Sequence, residues 1–162
     1  MKKILIFSFL LAATSISYSA LENSAVESTM NITATIIKPL TVQSNGPLEF
    51  GTLLPGVFGD ARSTFTLKGE ENSRVKITFE NLTSSGATYS TPISLESKDS
   101  FLVNFNCTPT NDSGRYVTSS DNTRFLDEKG ELILNIAAST KPRVDQTPGQ
   151  YTGQIRMRAT YE

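Results

Sequence analysis

The residues that could carry out chemistry are few, and they are not grouped as catalytic residues usually are. The 162-residue chain contains no histidine and a single cysteine, Cys107. The absence of histidine removes the commonest general base, the usual partner of a nucleophilic serine or cysteine, and the commonest metal ligand. The chain also has no glycine-rich phosphate-binding loop and no cluster of cysteine ligands. We therefore expect no catalytic residues, no metal ligands and no cofactor site, and a protein that is not an enzyme.

The remaining polar residues are better explained by structure than by catalysis. Glu70 and Glu71 fall in a predicted turn, where solvated carboxylates are common, and a glycosidase pair would need a cleft. Arg156 and Arg158 lie on the polar face of the last predicted strand, where cations either protect an exposed sheet edge or bind a ligand. We expect Cys107 to be a buried small apolar residue, with a reactive or intermolecular thiol as the alternative.

Residues 1–19 are predicted to form a secretory signal peptide. Lys2 and Lys3 supply its basic end, 4–13 its apolar core, and small residues around Ser19 its cleavage zone. The apolar run is too short for an ordinary transmembrane helix. Because the leader contains two of the 15 basic residues and none of the 16 acidic ones, the mature chain has a net charge of −3. That balance argues against nucleic acid as a partner, and we expect export through the periplasm to the cell surface or medium.

The mature chain is predicted to form one all-β domain. Short alternating apolar runs recur between clusters of Gly, Pro, Asn, Asp and Ser, and no long window has helical spacing, which is typical of a β-sandwich or barrel. The predicted strands cover residues 31–42, 48–53, 64–67, 74–80, 93–96, 101–107, 131–138 and 151–161. Residues 83–91 and 108–122 are predicted to be surface loops, and 125–138 to contain a hairpin.

The last predicted strand has the clearest pattern. Its apolar positions alternate with polar ones, so they share one face of a half-buried strand. These positions are Tyr151, Gly153, Ile155, Met157, Ala159 and Tyr161. Pro148 and Gly149 mark the turn before the strand. By its pattern alone, this stretch could also be an ordinary edge or closing strand of a self-sufficient sandwich.

Gly149 is the fourteenth residue counted back from Glu162, and Tyr161 is the penultimate one. Together with the alternating strand, this spacing resembles the C-terminal signature of chaperone–usher pilus subunits. The stretch ATIIKPLTVQSNGPLEFG at 34–51, with PGQYTG at 148–153, is similar to a family of secreted bacterial pilin-like domains of unassigned function. The resemblance covers both ends of the chain and leaves 52–146 without a recognised motif.

The resemblance implies an immunoglobulin-like β-sandwich of about seven to eight antiparallel strands, over 33–162, that is completed by a donor strand. The partners it implies are a periplasmic chaperone, an outer-membrane usher and neighbouring pilus subunits, whose N-terminal extensions fill the open groove. The implied groove residues are Gly149, Tyr151, Ile155, Met157 and Tyr161. The candidate donor strand is the extension 20–32, with Leu21, Val26, Met30 and Ile32 as its apolar residues.

The implied function is that of a structural or adhesive subunit of a fimbrium, which polymerises head to tail and acts in cell adhesion through an unidentified host receptor. One alternative is a small outer-membrane β-barrel, although the chain has no tryptophan for an aromatic girdle and several of its predicted strands are short. Another alternative is a monomeric secreted binding module, which would be stable without an added strand.

Overall fold

A computed structural model describes residues 26–96, 98–112 and 114–162, and within these ranges the chain contains nine β-strands and no helix. The strands are β1 (Thr41–Ser44), β2 (Gly59–Lys68), β3 (Arg74–Glu80), β4 (Thr83–Ser85), β5 (Thr88–Leu95), β6 (Asp99–Pro109), β7 (Thr123–Phe125), β8 (Glu131–Thr140) and β9 (Arg156–Tyr161). The prediction of an all-β fold is confirmed. In the same ranges, no helix is long and apolar enough to cross a membrane.

The strands form two open antiparallel sheets that enclose one core. The large sheet has the order β1-β2-β8-β6-β5-β4, and the small sheet has the order β7-β3-β9. Inward side chains of both sheets meet in the core, so the architecture is a β-sandwich. The buried core residues are Leu67, Val75, Ile77, Tyr89, Val103, Phe105, Cys107, Val117, Leu126, Leu132, Leu134, Ile136 and Ala138. As predicted, Cys107 is fully buried, and burial raises the pKa of its thiol to about 12.

The ladder between β2 and β8 runs the length of the sandwich and defines its two ends. Gly59 pairs with Thr140 at one end, and Lys68 pairs with Glu131 at the other. We name these ends the head pole and the tail pole. The head pole comprises residues 53–59 and 140–147, and the tail pole comprises residues 68–73 and 127–131 together with the adjoining Lys38 and Tyr161.

Two predicted strands in the first half of the domain are wrong. Residues 31–40 and 48–53 form no strand, and β1 is the only strand in that region of the described chain. An extended segment becomes a strand only when its backbone pairs with a neighbour, and neither segment has such a partner among the described residues. Pro39 cannot donate to a ladder, and Gly51 has a φ of 63°, outside the range of a regular strand.

Two predictions in the middle of the chain are also wrong. Residues 83–91 are not a loop but most of the β4–β5 hairpin, which turns at Gly86 with a φ of 58°. The predicted hairpin over 125–138 does not form, because β7 pairs with β3 in the small sheet while β8 pairs with β2 and β6 in the large one. The connection therefore crosses from one sheet to the other.

The compact unit of the chain comprises Thr35–Glu162. In the preceding unit, the described residues 26–34 have no regular secondary structure, and all of them are exposed. The predicted signal peptide, 1–19, and the candidate donor residue Leu21 lie outside the described residues.

Candidate functional site

A cleft of about 1150 Å³ opens between two segments of the sandwich and reaches its core. Its first wall is residues 46–55, which follow β1, and its second wall is residues 147–156, which lead into β9. The floor is formed by inward-facing side chains of the large sheet, namely Phe65, Ile93, Phe101, Val103 and Ile136. Val103 and Ile136 are each only 2% exposed, so the bottom of the cleft is core.

The first wall is anchored at its start and then runs without hydrogen bonds. Asn45 donates its N–H to the carbonyl oxygen of Thr64 at 3.0 Å, at the point where β1 ends. Residues 47–53 then form no hydrogen bond with any other described residue. Leu48 and Phe50 are half-buried and pack against the core. The wall is therefore held by its alternate apolar side chains, and its backbone polar groups remain available to a partner.

The second wall approaches the large sheet closely at one point. Thr152 and Ser94 of β5 exchange two backbone hydrogen bonds, at 2.9 and 3.0 Å. At the next residue, Gly153, a Cβ atom would lie 2.6 Å from Cγ2 of Ile93, so a larger residue would force the wall away from β5. Gly149 makes a similar approach to a leucine side chain of β5, with a Cβ distance of 2.7 Å.

Tyr151 fixes the second wall to the floor of the cleft. Its ring packs against the ring of Phe101, with centroids 4.8 Å apart and an interplanar angle of 51°. Its hydroxyl accepts a hydrogen bond from Nε2 of Gln146 at 2.8 Å. The same hydroxyl can donate its proton to the carbonyl oxygen of Thr147 at 2.8 Å or to Oδ2 of Asp99 at 3.2 Å.

The carboxylate of Asp99 anchors the second wall through hydrogen bonds to Thr147 and Tyr151. Its pKa is lowered well below the usual value, chiefly because the Thr147 N–H donates to Oδ2 at 3.1 Å, and further because the Ser100 N–H and the Tyr151 hydroxyl also bond to it. Nη2 of Arg143 lies 2.9 Å from Oδ1, and the Asp99 side chain is only 12% exposed. A carboxylate with so many donors is held ionised and stabilises the wall rather than acting as an acid.

Beside the cleft, β9 presents an unpaired edge. Glu162 donates its N–H to the carbonyl oxygen of Arg74 at 3.1 Å, which fixes the phase of the ladder with β3. By the alternation of antiparallel hydrogen bonds, the backbone N–H and C=O groups of Met157, Ala159 and Tyr161 point away from β3. No described residue forms a backbone hydrogen bond with them. This edge therefore offers three donors and three acceptors to an added strand.

Tyr161 ties the far end of β9 to the tail pole. Its hydroxyl accepts a hydrogen bond from the N–H of Glu70 at 2.7 Å and donates one to the carbonyl oxygen of Lys38, also at 2.7 Å. Gly69 has to be a glycine for this contact, since a Cβ atom there would overlap the Tyr161 hydroxyl. The tyrosine thus closes the tail end of the space beside β9.

The predicted groove residues occupy two neighbouring regions. Gly149, Tyr151 and Ile155 line the cleft, whereas Met157 and Tyr161 lie beyond it on the half-buried face of β9. The predicted strand over 151–161 is shorter than expected, because only its second half pairs with β3. The half-buried face continues from Ile155 to Tyr161 with exposed residues at the intervening positions, and Tyr151 is also half-buried, whereas Gly153 between them is exposed.

Sequence reasoning missed the floor of the cleft and most of the first wall as parts of this site. Phe101 lies in the predicted strand 101–107, and Leu48 and Phe50 lie in the predicted strand 48–53, but nothing in the sequence shows that they flank an opening. Of the candidate donor residues, Val26, Met30 and Ile32 are between 87% and 94% exposed.

The cleft is suited to binding an extended peptide. Of the described residues that line it, Glu49 is the only acid and Arg156 the only base, and the floor is apolar. The described chain contains no group of three or more side chains that could hold a metal ion.

No protein-family model matches the chain, and no curated protein sequence matches it. An assignment of function therefore depends on the geometry of the cleft and β9.

Proposed function

We propose that the protein is a structural or adhesive subunit of a bacterial surface pilus that polymerises head to tail by donor-strand complementation. The observation that carries this proposal is the unpaired edge of β9 beside a cleft whose floor is core. An edge that is exposed in this way invites pairing with another chain.

The edge supplies the affinity of the proposed contact. A strand added to β9 would satisfy the three N–H and three C=O groups of Met157, Ala159 and Tyr161. Each hydrogen bond contributes a net free energy of about 0.5–1.5 kcal/mol. In this mode of recognition, alternate side chains of the incoming strand enter the groove and determine its register.

The extension before the compact unit has the residue spacing that a donor strand requires. Met30, Ile32 and Ala34 recur at every second position, so they share one face of an extended chain. Met30 and Ile32 are 87% and 90% exposed, and burying an aliphatic side chain of this size contributes about 1.5–3 kcal/mol. We propose a neighbouring copy of the chain as the source of the strand.

The proposal includes the other partners of this assembly route. A chain with an open cleft and a free strand edge needs temporary cover during export through the periplasm, which is the role we assign to a periplasmic chaperone, with an outer-membrane usher as the site of assembly. The host receptor is a separate question, since the cleft would be occupied by a strand within the fibre.

The test compares the mature chain, residues 20–162, with a variant that lacks 20–34. We expect the longer chain to form SDS-resistant oligomers and the truncated chain to remain monomeric. A synthetic peptide of residues 20–34 should bind the truncated monomer and, at a hundredfold excess over its Kd, stabilise it by about 2.7 kcal/mol.

The matched control is the same peptide with Met30→Ser and Ile32→Ser, which keeps the backbone donors but removes the apolar anchors. This control peptide should raise the melting temperature of the truncated monomer far less than the native peptide does. A truncated monomer whose melting temperature is unchanged by the native peptide would contradict the proposal and favour a monomeric secreted binding module.

A further inference from the structure

We propose that an exposed apolar patch at the head pole is the surface on which the tail pole of the next copy of this chain docks. The inference builds on the proposed function, because it identifies a second contact between the same two copies. We name the surface the head patch. It consists of Leu54, Val57, Phe58 and Val144, which are 65%, 51%, 72% and 84% exposed.

The head patch is one surface, although its residues come from two loops. The N–H of Gly56 donates a hydrogen bond to the carbonyl oxygen of Pro142 at 2.9 Å, which joins the loops. A Cβ atom at Gly56 would lie 3.1 Å from Cγ2 of Val144, and Nζ of Lys141 lies 4.9 Å from the centroid of the Phe58 ring. Large apolar side chains concentrated in this way mark an interaction surface.

The head patch borders the mouth of the cleft. Leu53, Pro55 and Pro142 belong to the head pole and also line the cleft, so the opening lies at this end of the sandwich. At the opposite end, the Tyr161 hydroxyl ties the last strand to the tail pole. A donor strand that enters through the mouth therefore passes the head patch.

The compact unit begins at the opposite end of the domain. It starts at Thr35, and Lys38 donates its N–H to Oε2 of Glu70 at 2.9 Å, which places this part of the chain at the tail pole. A copy whose extension fills the cleft of another copy must therefore bring its own tail pole to the acceptor's head pole. Because the two contacting poles are different and lie at opposite ends of the domain, the contact is heterologous and can repeat from copy to copy along a filament.

The two poles have complementary surfaces. The tail pole is net acidic, at −2, because its carboxylates outnumber its lysines five to three. The carboxylates are Glu70, Glu71, Asp127, Glu128 and Glu131, and the lysines are Lys38, Lys68 and Lys129. The head pole carries Lys141, Arg143 and Asp145, a net charge of +1. Arg143 is paired with Asp99 and Asp145, while Lys141 forms no salt bridge with any described residue. Next to the tail pole, Ile36 and Ile37 are 96% and 47% exposed and can meet the apolar head patch.

The test is a disulfide cross-link between opposite poles of the mature chain. A double variant carries Val144→Cys in the head patch and Glu71→Cys at the tail pole. The native thiol does not interfere, because Cys107 is fully buried. Under mild oxidation, we expect the double variant to form a ladder of multimers that persists after boiling in SDS and disappears on reduction, and we expect no such ladder from either single variant.

Two outcomes would overturn the inference. Covalent dimers from a single variant would show contact between like poles, and oligomers of the double variant that remain uncross-linked would show assembly without contact between opposite poles. In both cases the proposed function would survive. If no oligomer forms and the peptide of residues 20–34 does not bind, the proposed function fails as well.

A second measurement tests the patch without cysteines. Phe58→Ser should make the oligomers dissociate roughly tenfold faster or more, while leaving the binding of the 20–34 peptide to the truncated monomer unchanged. The matched control is Leu102→Ser, which removes a 57% exposed leucine from the outer face of β6. Equal dissociation rates for the two variants would overturn the inference.

Discussion

The hydroxyl of Tyr161 donates a hydrogen bond to the carbonyl oxygen of Lys38 at 2.7 Å, although the two residues are 123 positions apart in the chain. The same hydroxyl accepts a hydrogen bond from the N–H of Glu70. One side chain thus joins β9, the chain that enters β1, and the turn after β2. This junction sets the position of the unpaired edge relative to the tail pole.

Removing this hydroxyl should weaken the monomer by a measurable amount. Tyr161→Phe leaves the ring in place but loses both hydrogen bonds, so we expect the free energy of unfolding to fall by about 1–2 kcal/mol in urea denaturation of the truncated monomer. The control is Tyr116→Phe, since the hydroxyl of Tyr116 makes no hydrogen bond with a described residue. Equal losses in the two variants would contradict the role of the Tyr161 hydroxyl.

Proline substitutions in β9 should separate folding from strand addition. The N–H of Ala159 points to the open edge, so Ala159→Pro should abolish binding of the 20–34 peptide while changing the free energy of unfolding by less than about 1 kcal/mol. The N–H of Arg158 points to β3, so Arg158→Pro should destabilise the monomer by about 1–3 kcal/mol. Urea unfolding followed by circular dichroism measures the free energy of unfolding, and titration calorimetry measures binding of the 20–34 peptide. An Ala159→Pro monomer that still binds the peptide would contradict the assignment of the edge.

The close approach of the second wall to β5 should depend on Gly153. Gly153→Ala places a methyl group against Ile93 and the carbonyl oxygen of Pro92, 3.1 Å away, so we expect a loss of about 1–3 kcal/mol in stability and weaker peptide binding. Gly149→Ala should cost less, because it meets only the movable side chain of Leu95. The reverse order of the two losses would contradict this account of the wall.

Acidification should loosen the second wall through Asp99. The pKa of this carboxyl is lower in the folded state than its ordinary value of 3.8, so the unfolded state binds a proton more readily. The stability that Asp99 contributes is therefore present at neutral pH and is lost as the pH falls below about 5 and through the ordinary aspartate range.

Asp99→Asn should consequently be less stable than the native chain at pH 7 and should lose stability less steeply between pH 5 and pH 2. The control is Asp145→Asn, which changes an 85% exposed carboxylate that also pairs with Arg143. Urea unfolding at several pH values gives both slopes. A native slope that persists in Asp99→Asn would show that other carboxylates account for the acid sensitivity.

The sequence was sufficient to locate strands whose alternation results directly from burial. The range 74–80 was predicted and is β3, because Val75 and Ile77 face the core while the residues between them face solvent. The range 101–107 was predicted for the same reason and lies within β6. In these strands, the alternation of apolar and polar residues in the sequence corresponds directly to which side chains are buried in the structure.

The pattern failed where a strand depends on its partner. Leu48 and Phe50 alternate as in a strand and do pack against the core, yet residues 47–53 have no ladder among the described residues. The turn signals after β7 were interpreted as a hairpin, and the N–H of Gly130 does donate to the carbonyl oxygen of Asp127 in a turn. Which sheet each strand then joins depends on pairing with distant strands, which local residue types do not encode.

Part of the candidate site could be predicted from the sequence. The second wall and β9 could be found, because Tyr151, Ile155 and Met157 alternate with polar residues. The floor could not be distinguished from ordinary core, since Phe101 and Ile93 have the same spacing as covered residues. Only the arrangement of the two walls in the structure shows that no strand of the described chain covers Phe101 and Ile93.

The attachment of β1 determines how the molecule would carry a mechanical load. Thr41 to Ser44 pair with Lys68 to Phe65, and Thr41 is the end nearer the tail pole, where the compact unit begins. A pull applied at Thr35 along the axis of the sandwich therefore acts parallel to β1. Its hydrogen bonds to β2 are loaded together in shear rather than opened one after another, so β1 resists tension better than its four residues would suggest.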